Sequence, residues 1–209
     1  MIKIKIEQGS EAWHEAKLGL FSGTRFATLM SGKSTKGYKD LILNVAGEII
    51  SRTKDETYTN QIMERGIELE SDARYVYQHF FDCKVEEVGL CLHDDYEDWV
   101  GISPDGLIGE DGGLEIKCPL MKTHMNYIKA NTLPNDYKWQ VQGSLFVTGR
   151  KYWDFMSYYP GMTPFVFRVK PDEEMISELE TRLKEAIEEV KAEIDLYNKY
   201  NVFNEIEEN

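Results

Sequence analysis

Two acids and an amine within a short stretch carry the strongest chemical pattern in the chain. Ser103-Pro104-Asp105-Gly106 precedes Glu115-Ile116-Lys117, and Glu115 lies ten positions after Asp105. Side chains alternate faces along a strand, so Glu115 and Lys117 emerge together while Ile116 points the other way. Between them, Gly109-Glu110-Asp111-Gly112-Gly113 suits a tight reversal. A hairpin folded there brings Asp105 beside the strand. Carboxylates are hard oxygen ligands for Mg²⁺ or Mn²⁺, which keep open positions for water and phosphate oxygens. Such a metal lowers the pKa of a bound water and neutralises charge developing on a phosphodiester. Lys117 can position that water or balance the charge. The same residues also admit a plainer use, with Asp105 capping a turn and Glu115 and Lys117 forming an exposed ion pair.

A third acid belongs to a helical pattern over residues 60–81, whose apolar stripe is Met63, Ile67, Ala73, Tyr77 and Phe80. Of Glu64, Glu68, Glu70 and Asp72, only Glu70 falls on that stripe. A carboxylate on a buried face is costly unless something pairs with it. A metal ion or Lys117 would serve, and so would an i,i+4 pair with Arg74.

The elements that must position these groups follow from periodicity. Residues 2–6 alternate as a strand. Ser10 caps a helix through Trp13 and Leu18 that stops at Gly19, and Ser22 caps a second through Phe26 and Met30. Residues 31–38 form a Gly/Ser/Lys-rich loop before a helix over 40–51. Strands are expected at 84–92, 99–103 and 114–118, helices at 122–130 and 135–147, and strands at 152–158 and 165–169. Asp172 caps a last helix, 172–199, with the stripe Ile176, Leu179, Leu183, Ile187, Val190, Ile194 and Tyr197. That stripe suits core packing and also an oligomer interface. Neither a repeat nor a linker interrupts the chain. The expectation is one α/β domain over 1–209, a central mixed β-sheet flanked by helices.

Composition narrows the class. Of the 209 residues 42% are hydrophobic and 29% charged, which excludes a disordered chain. No run reaches the roughly 18 apolar residues of a membrane span, and a cytoplasmic protein is expected. Cys83, Cys91 and Cys118 are too few for a disulfide framework and one short of the usual iron–sulfur set, so buried free thiols are expected. The net charge of −13 argues against a surface that coats nucleic acid indiscriminately. It leaves room for a few cations that meet phosphates inside a groove.

Taken in order, four stretches resemble the lambda-exonuclease (YqaJ-type) viral recombinase family of the PD-(D/E)XK nuclease superfamily. They are Glu11-Ala12-Trp13-His14 through Leu18-Gly19, Glu70-Ser71-Asp72-Ala73-Arg74, the Asp105 and Glu115-Ile116-Lys117 stretches through Pro119, and Gln140-Val141-Gln142. The resemblance implies a restriction-endonuclease-like core and two-metal hydrolysis of DNA, with Mg²⁺ or substituting Mn²⁺. It implies digestion of one strand of a duplex from its 5′ end, beginning at double-stranded DNA ends. Asp105, Glu115 and the backbone carbonyl of Ile116 then correspond to metal ligands, Lys117 to the catalytic lysine, Glu70 to the helix carboxylate and Gln140 to a supporting glutamine. Lys17 matches a position where relatives can carry a 5′-phosphate-binding arginine. A lysine there lacks the bidentate fork but supplies a point charge, and a solvated helix residue is the alternative. Ser22 and Thr24 match hydroxyl residues that can touch phosphate, or they cap. A trimeric ring and a phage single-strand annealing protein are implied as partners.

Three other functions compete with the recombination exonuclease. They are a structure-specific endonuclease of the same superfamily, a DNA-end-binding protein without activity, and a RecB-type nuclease with an iron–sulfur staple.

Overall fold

The computed structural model describes residues 1–54 and 61–200, with the backbone alone for 61–63. The expected helix start at Asn60 and the Met63 side chain lie outside that description. In chain order the elements are β1 (Ile2–Ile4), α1 (Glu11–Ala16), β2 (Phe21–Ser22), α2 (Gly23–Leu29), α3 (Lys36–Ser51), α4 (Gln61–Phe81), β3 (Val85–Glu86), β4 (Leu90–Leu92), β5 (Val100–Ile102), β6 (Gly106–Ile108), β7 (Gly112–Lys117), α5 (Met121–Ala130), α6 (Lys138–Thr148), β8 (Tyr152–Ser157), β9 (Phe165–Val169) and α7 (Glu173–Lys199). A single 3₁₀ turn, Asn135–Tyr137, leads into α6.

Hydrogen bonding divides the strands into two mixed sheets, ordered β1-β4-β5-β2 and β3-β6-β7-β8-β9. Residues 84–92, expected as one strand, contribute to both. Val85 and Glu86 pair with Ile108 and Leu107 of β6, whereas Cys91 and Leu92 pair with Ile102 and Gly101 of β5. The antiparallel register is the same in both pieces. They are therefore the two ends of one ladder, opened over 87–89 on one side and 103–105 on the other. Asp105 sits in that opening.

Caps and burial set the helices. Ser10 Oγ accepts the N–H of Trp13 and starts α1. Thr35 caps α3 from Tyr38 N, so the helix begins at Lys36 instead of residue 40. Tyr38 is 1% exposed, and its burial draws this glycine- and lysine-containing turn into the helix. Asp172 accepts from Met175 N to start α7. Along α7, Leu179, Leu183, Ala186, Ile187 and Val190 are buried in one core with Tyr38, Leu41, Ile42 and Val45 of α3, while Tyr197 is exposed.

On α4 the expected stripe is displaced. Ala73 and Tyr77 are buried, but Ile67 and Phe80 are 71% and 61% exposed. The inward face instead runs through Leu69, Ala73, Val76 and Tyr77 against Leu114 and Ile116 of β7 and Cys118 just after it. This face is narrower, and it puts Glu70 at its margin. No described helix is long and apolar enough to cross a membrane.

Candidate active site

The hairpin β6–β7 does what its glycines allow. Leu107 and Ile108 pair with Gly113 and Gly112, and Gly109 takes φ +51°, a left-handed value that most side chains resist. Arg150, between α6 and β8, fills the turn and donates to the carbonyls of Gly109 at 2.9 Å and Gly112 at 2.6 Å. Strand β7 then alternates as expected. Ile116 faces α4, while Glu115 and Lys117 face α6.

On that face Lys117 Nζ lies 2.6 Å from Glu115 Oε1, and Gln140 Nε2 of α6 donates to the same oxygen at 2.5 Å. Asp105 Oδ2 accepts the backbone N–H of Ile116 at 2.6 Å. Asp105, Glu115, Lys117 and Gln140 are thus brought together. Glu115 is only 3% exposed, so its pair with Lys117 is no solvated surface bridge.

Glu70 reaches this region from α4 but is held by Arg74, whose Nη2 lies 2.5 Å from Glu70 Oε1. The i,i+4 pairing is therefore realised, and Lys117 acts on Glu70 only at longer range. Arg74 Nε also donates to the backbone oxygen of Asp105 at 2.9 Å.

The electrostatics are those of crowded like charges. Asp105 keeps some surface open to solvent, yet enclosure of its carboxyl pushes its pKa well above the ordinary aspartate range, and Glu115 and Glu70 push it further. Glu70 is raised by burial and by Glu115, against the pull of Arg74. Burial works against the Lys117 charge, but Glu115 and Asp105 outweigh it and hold the ammonium above the usual lysine value. Three acids thus face Lys117 and an Arg74 that is shared with Glu87.

A divalent cation fits this imbalance. Among the described residues no three His, Cys, Asp or Glu side chains form a ready-made metal cage. Magnesium does not require one, since it is commonly held by one or two carboxylates and keeps several waters. The bonds from Lys117 and Gln140 both fall on Oε1 of Glu115, which leaves Oε2 without a partner among the described residues.

The residues read as phosphate contacts lie apart on the N-terminal segment. Lys17 ends α1 with its ammonium 3.7 Å from the centroid of the Trp13 ring. Burial, with Lys54 and Arg25 nearby, lowers its pKa to about 8. It is therefore not a freely solvated helix residue. Ser22 occupies the N-cap position of α2 but makes no side-chain capping bond. Its backbone is taken into β2, where Ser22 pairs with Gly101, and its side chain is buried. Thr24 is exposed in the first turn of α2. That turn adjoins the acids, because a Cβ on Gly23 would lie 3.4 Å from Gln140 Cγ.

Two features escaped the sequence reading. Arg25 and Glu48 form a close bidentate pair, and Glu48 also accepts Gly19 N–H at 3.0 Å. Glu48 lies three residues after Val45 on the buried face of α3, the same signal that singled out Glu70. The second is the reach of Arg74 beyond its own helix, for which helical spacing carries no signal.

With this geometry established, comparison with known proteins is informative. The model of the YqaJ-like viral recombinase domain matches residues 12–151. None of the curated proteins compared matches the chain. The crystal structure of an alkaline exonuclease, LHK-Exo, from Laribacter hongkongensis is similar at 32% identity and TM-score 0.84, covering 91% of this chain and 97% of that one. LHK-Exo in complex with dAMP matches equally. A phage related exonuclease from Haemophilus somnus 129PT shares the fold at 13% identity and TM-score 0.63, over 85% of this chain and 96% of that one. The chain belongs to the YqaJ-like viral recombinase family and has its restriction-endonuclease-like fold.

Proposed function

We propose that this protein is a Mg²⁺-dependent DNA exonuclease that hydrolyses linear double-stranded DNA from 5′ to 3′ and exposes a single strand for annealing. The observation that carries the reading is the meeting of Asp105, Glu115 and Lys117 on one face of a YqaJ-like chain. Similarity to an alkaline exonuclease solved with dAMP, a deoxynucleoside monophosphate, supports a DNA substrate.

Asp105, Glu115 and the carbonyl of Ile116 would hold the metal, with Mn²⁺ able to substitute and two ions in the working site. When bound, the metal lowers the pKa of a water ligand and neutralises charge on the scissile phosphate. The chain supplies the rest. Lys117, kept cationic by Glu115 and Asp105, donates toward the attacking water or the developing phosphate charge. Gln140 fixes the Glu115 carboxylate so that the free oxygen keeps its direction. Glu70, tethered by Arg74, adds negative potential at the margin. Lys17, flanked by Lys54 and Arg25, binds the 5′-phosphate as a point charge, and Ser22 and Thr24 are the hydroxyl residues assigned to phosphate contact.

The same reading makes DNA ends, a phage single-strand annealing protein and further copies of the chain in a trimeric ring its partners, in the host cytoplasm. The test is digestion of end-labelled linear duplex with Mg²⁺, beside closed circular and 5′-hydroxyl duplexes. Release of labelled mononucleotides from 5′-phosphorylated linear DNA alone is the expected result. Nicking of the circle instead makes the protein an endonuclease, and binding without hydrolysis makes it an end-binding protein.

A further inference from the structure

The opening in the β3/β4–β5/β6 ladder is spanned by side chains in a regular way. Arg74 joins the exposed side-chain carboxylate of Glu87, at 2.8 Å, to the carbonyl of Asp105 at 2.9 Å. Gln8 Nε2 donates to the carbonyls of Val88 and Pro104, both at 2.9 Å. Trp13 Nε1 donates to the carbonyl of Gly89 and to Ser103 Oγ, again both at 2.9 Å. The bridged pairs are 87 with 105, 88 with 104 and 89 with 103, so they run antiparallel like the flanking strands but one residue out of their register. Three side chains thus stand where direct backbone bonds are missing.

Gln8 and Trp13 arrive on the N-terminal segment, which approaches Gly89 so closely that a Cβ there would lie 2.0 Å from the Ile6 carbonyl oxygen. Opening the ladder has a consequence for Asp105. A continuous ladder would bind its backbone to the 84–92 segment, whereas here Asp105 turns its carboxylate onto Ile116 N–H of β7. The position of that carboxylate relative to Glu115 therefore depends on what holds 103–105 in place.

We propose that Gln8 and Arg74 are positioning residues that hold the split ladder at a fixed width and so set the placement of Asp105 for cation binding. This rests on the nuclease reading above. Gln8 is informative because it carries no charge and its bonds go to backbone carbonyls, so its loss cannot alter the charge of the acid cluster.

The test compares wild type with Gln8→Ala, Arg74→Lys and Arg74→Ala in three measurements. These are Mn²⁺ binding by calorimetry on DNA-free protein, the KM for duplex DNA, and thermal melting. Gln8→Ala is expected to weaken Mn²⁺ binding about tenfold, the size of effect typical of groups that support metal ligands, with KM for DNA little changed. Arg74→Ala is expected to weaken it at least as much. Arg74→Lys, which keeps the charge beside Glu70 but cannot span Glu87 and Asp105, should fall with Arg74→Ala and not with wild type. If Arg74→Ala does not fold, Gln8→Ala and Arg74→Lys decide the matter. Wild-type Mn²⁺ affinity in folded Gln8→Ala, or full rescue by Arg74→Lys, overturns the proposal. Absence of Mg²⁺-dependent cleavage by wild type, with Mn²⁺ still bound and the variants still weakened, would instead overturn the nuclease reading alone.

Discussion

The acids around Asp105 and the cations around Lys17 are both clusters of like charge, but they are held differently. Asp105 is fixed by the backbone N–H of Ile116 and Glu115 by Gln140, and Glu115 lies on a strand with paired neighbours on both sides. Lys17 rests on an aromatic ring at the end of a six-residue helix, with Lys54 and Arg25 near it. Arg25 is already paired with buried Glu48. The acid cluster is a rigid site short of positive charge, while the basic cluster is a softer one whose Lys17 ammonium is committed only to a ring face. A net charge of −13 conceals this division. A strongly acidic chain can still gather cations at one place.

The contrast can be broken most severely at the acid end. Asp105→Asn keeps an acceptor for Ile116 N–H but removes the charge, and it should lower the rate of Mg²⁺-dependent DNA cleavage by about a thousandfold or more. Its melting temperature in metal-free buffer should not fall. An unchanged cleavage rate would remove Asp105 from the mechanism.

At the basic end the largest effect is on folding. Arg25→Ala leaves Glu48 buried without its partner and should cost about 3 kcal/mol or more of stability in denaturant titration. A loss well below 1 kcal/mol would mean that Glu48 finds another partner or is solvated.

Lys17→Ala should leave the fold intact and reduce the preference for 5′-phosphate over 5′-hydroxyl ends by about tenfold, the size of one charge-assisted hydrogen bond. Equal preference in wild type and variant would return Lys17 to a packing role on Trp13. In wild type the preference should weaken as pH rises through about 8, where Lys17 loses its proton.

The smallest effect is a pH trend in stability. The folded pKa of Asp105 is raised, so the stability linked to its protonated form is present at acid pH and is lost as pH rises through that raised value. The melting temperature of metal-free Asp105→Asn relative to wild type should therefore climb from acid toward neutral pH. A flat difference would show that Asp105 is neither enclosed nor crowded by Glu115 and Glu70.

Much of this was legible in the residues because it is local. Alternation placed Glu115 and Lys117 on one face, and the glycines of 109–113 marked the reversal. Ser10, Asp172 and the α7 stripe announced their helices. What was not legible depends on distant packing. Residues 84–92 have the texture of one strand, and they do follow one register, but the break at 87–89 is made by Gln8, Trp13 and Arg74 arriving from elsewhere. The α4 stripe misplaced Ile67 and Phe80 because a helix that packs on one strand buries a narrower face than periodicity alone assigns. Ser22 carries a capping residue's chemistry but is claimed by a two-residue strand too short to stand out. Strand β6 was hidden in the same way, as three residues beside the hairpin turn.

On the proposed reading, the carboxylates of Asp105 and Glu115 together make a divalent-cation site. Electron paramagnetic resonance of free Mn²⁺, titrated into DNA-free wild type and Glu115→Gln, tests it without reference to catalysis. Wild type is expected to remove Mn²⁺ from the free pool, and Glu115→Gln to do so about a hundredfold less tightly. If the glutamine variant depletes free Mn²⁺ as fully as wild type, the two acids do not form the cation site.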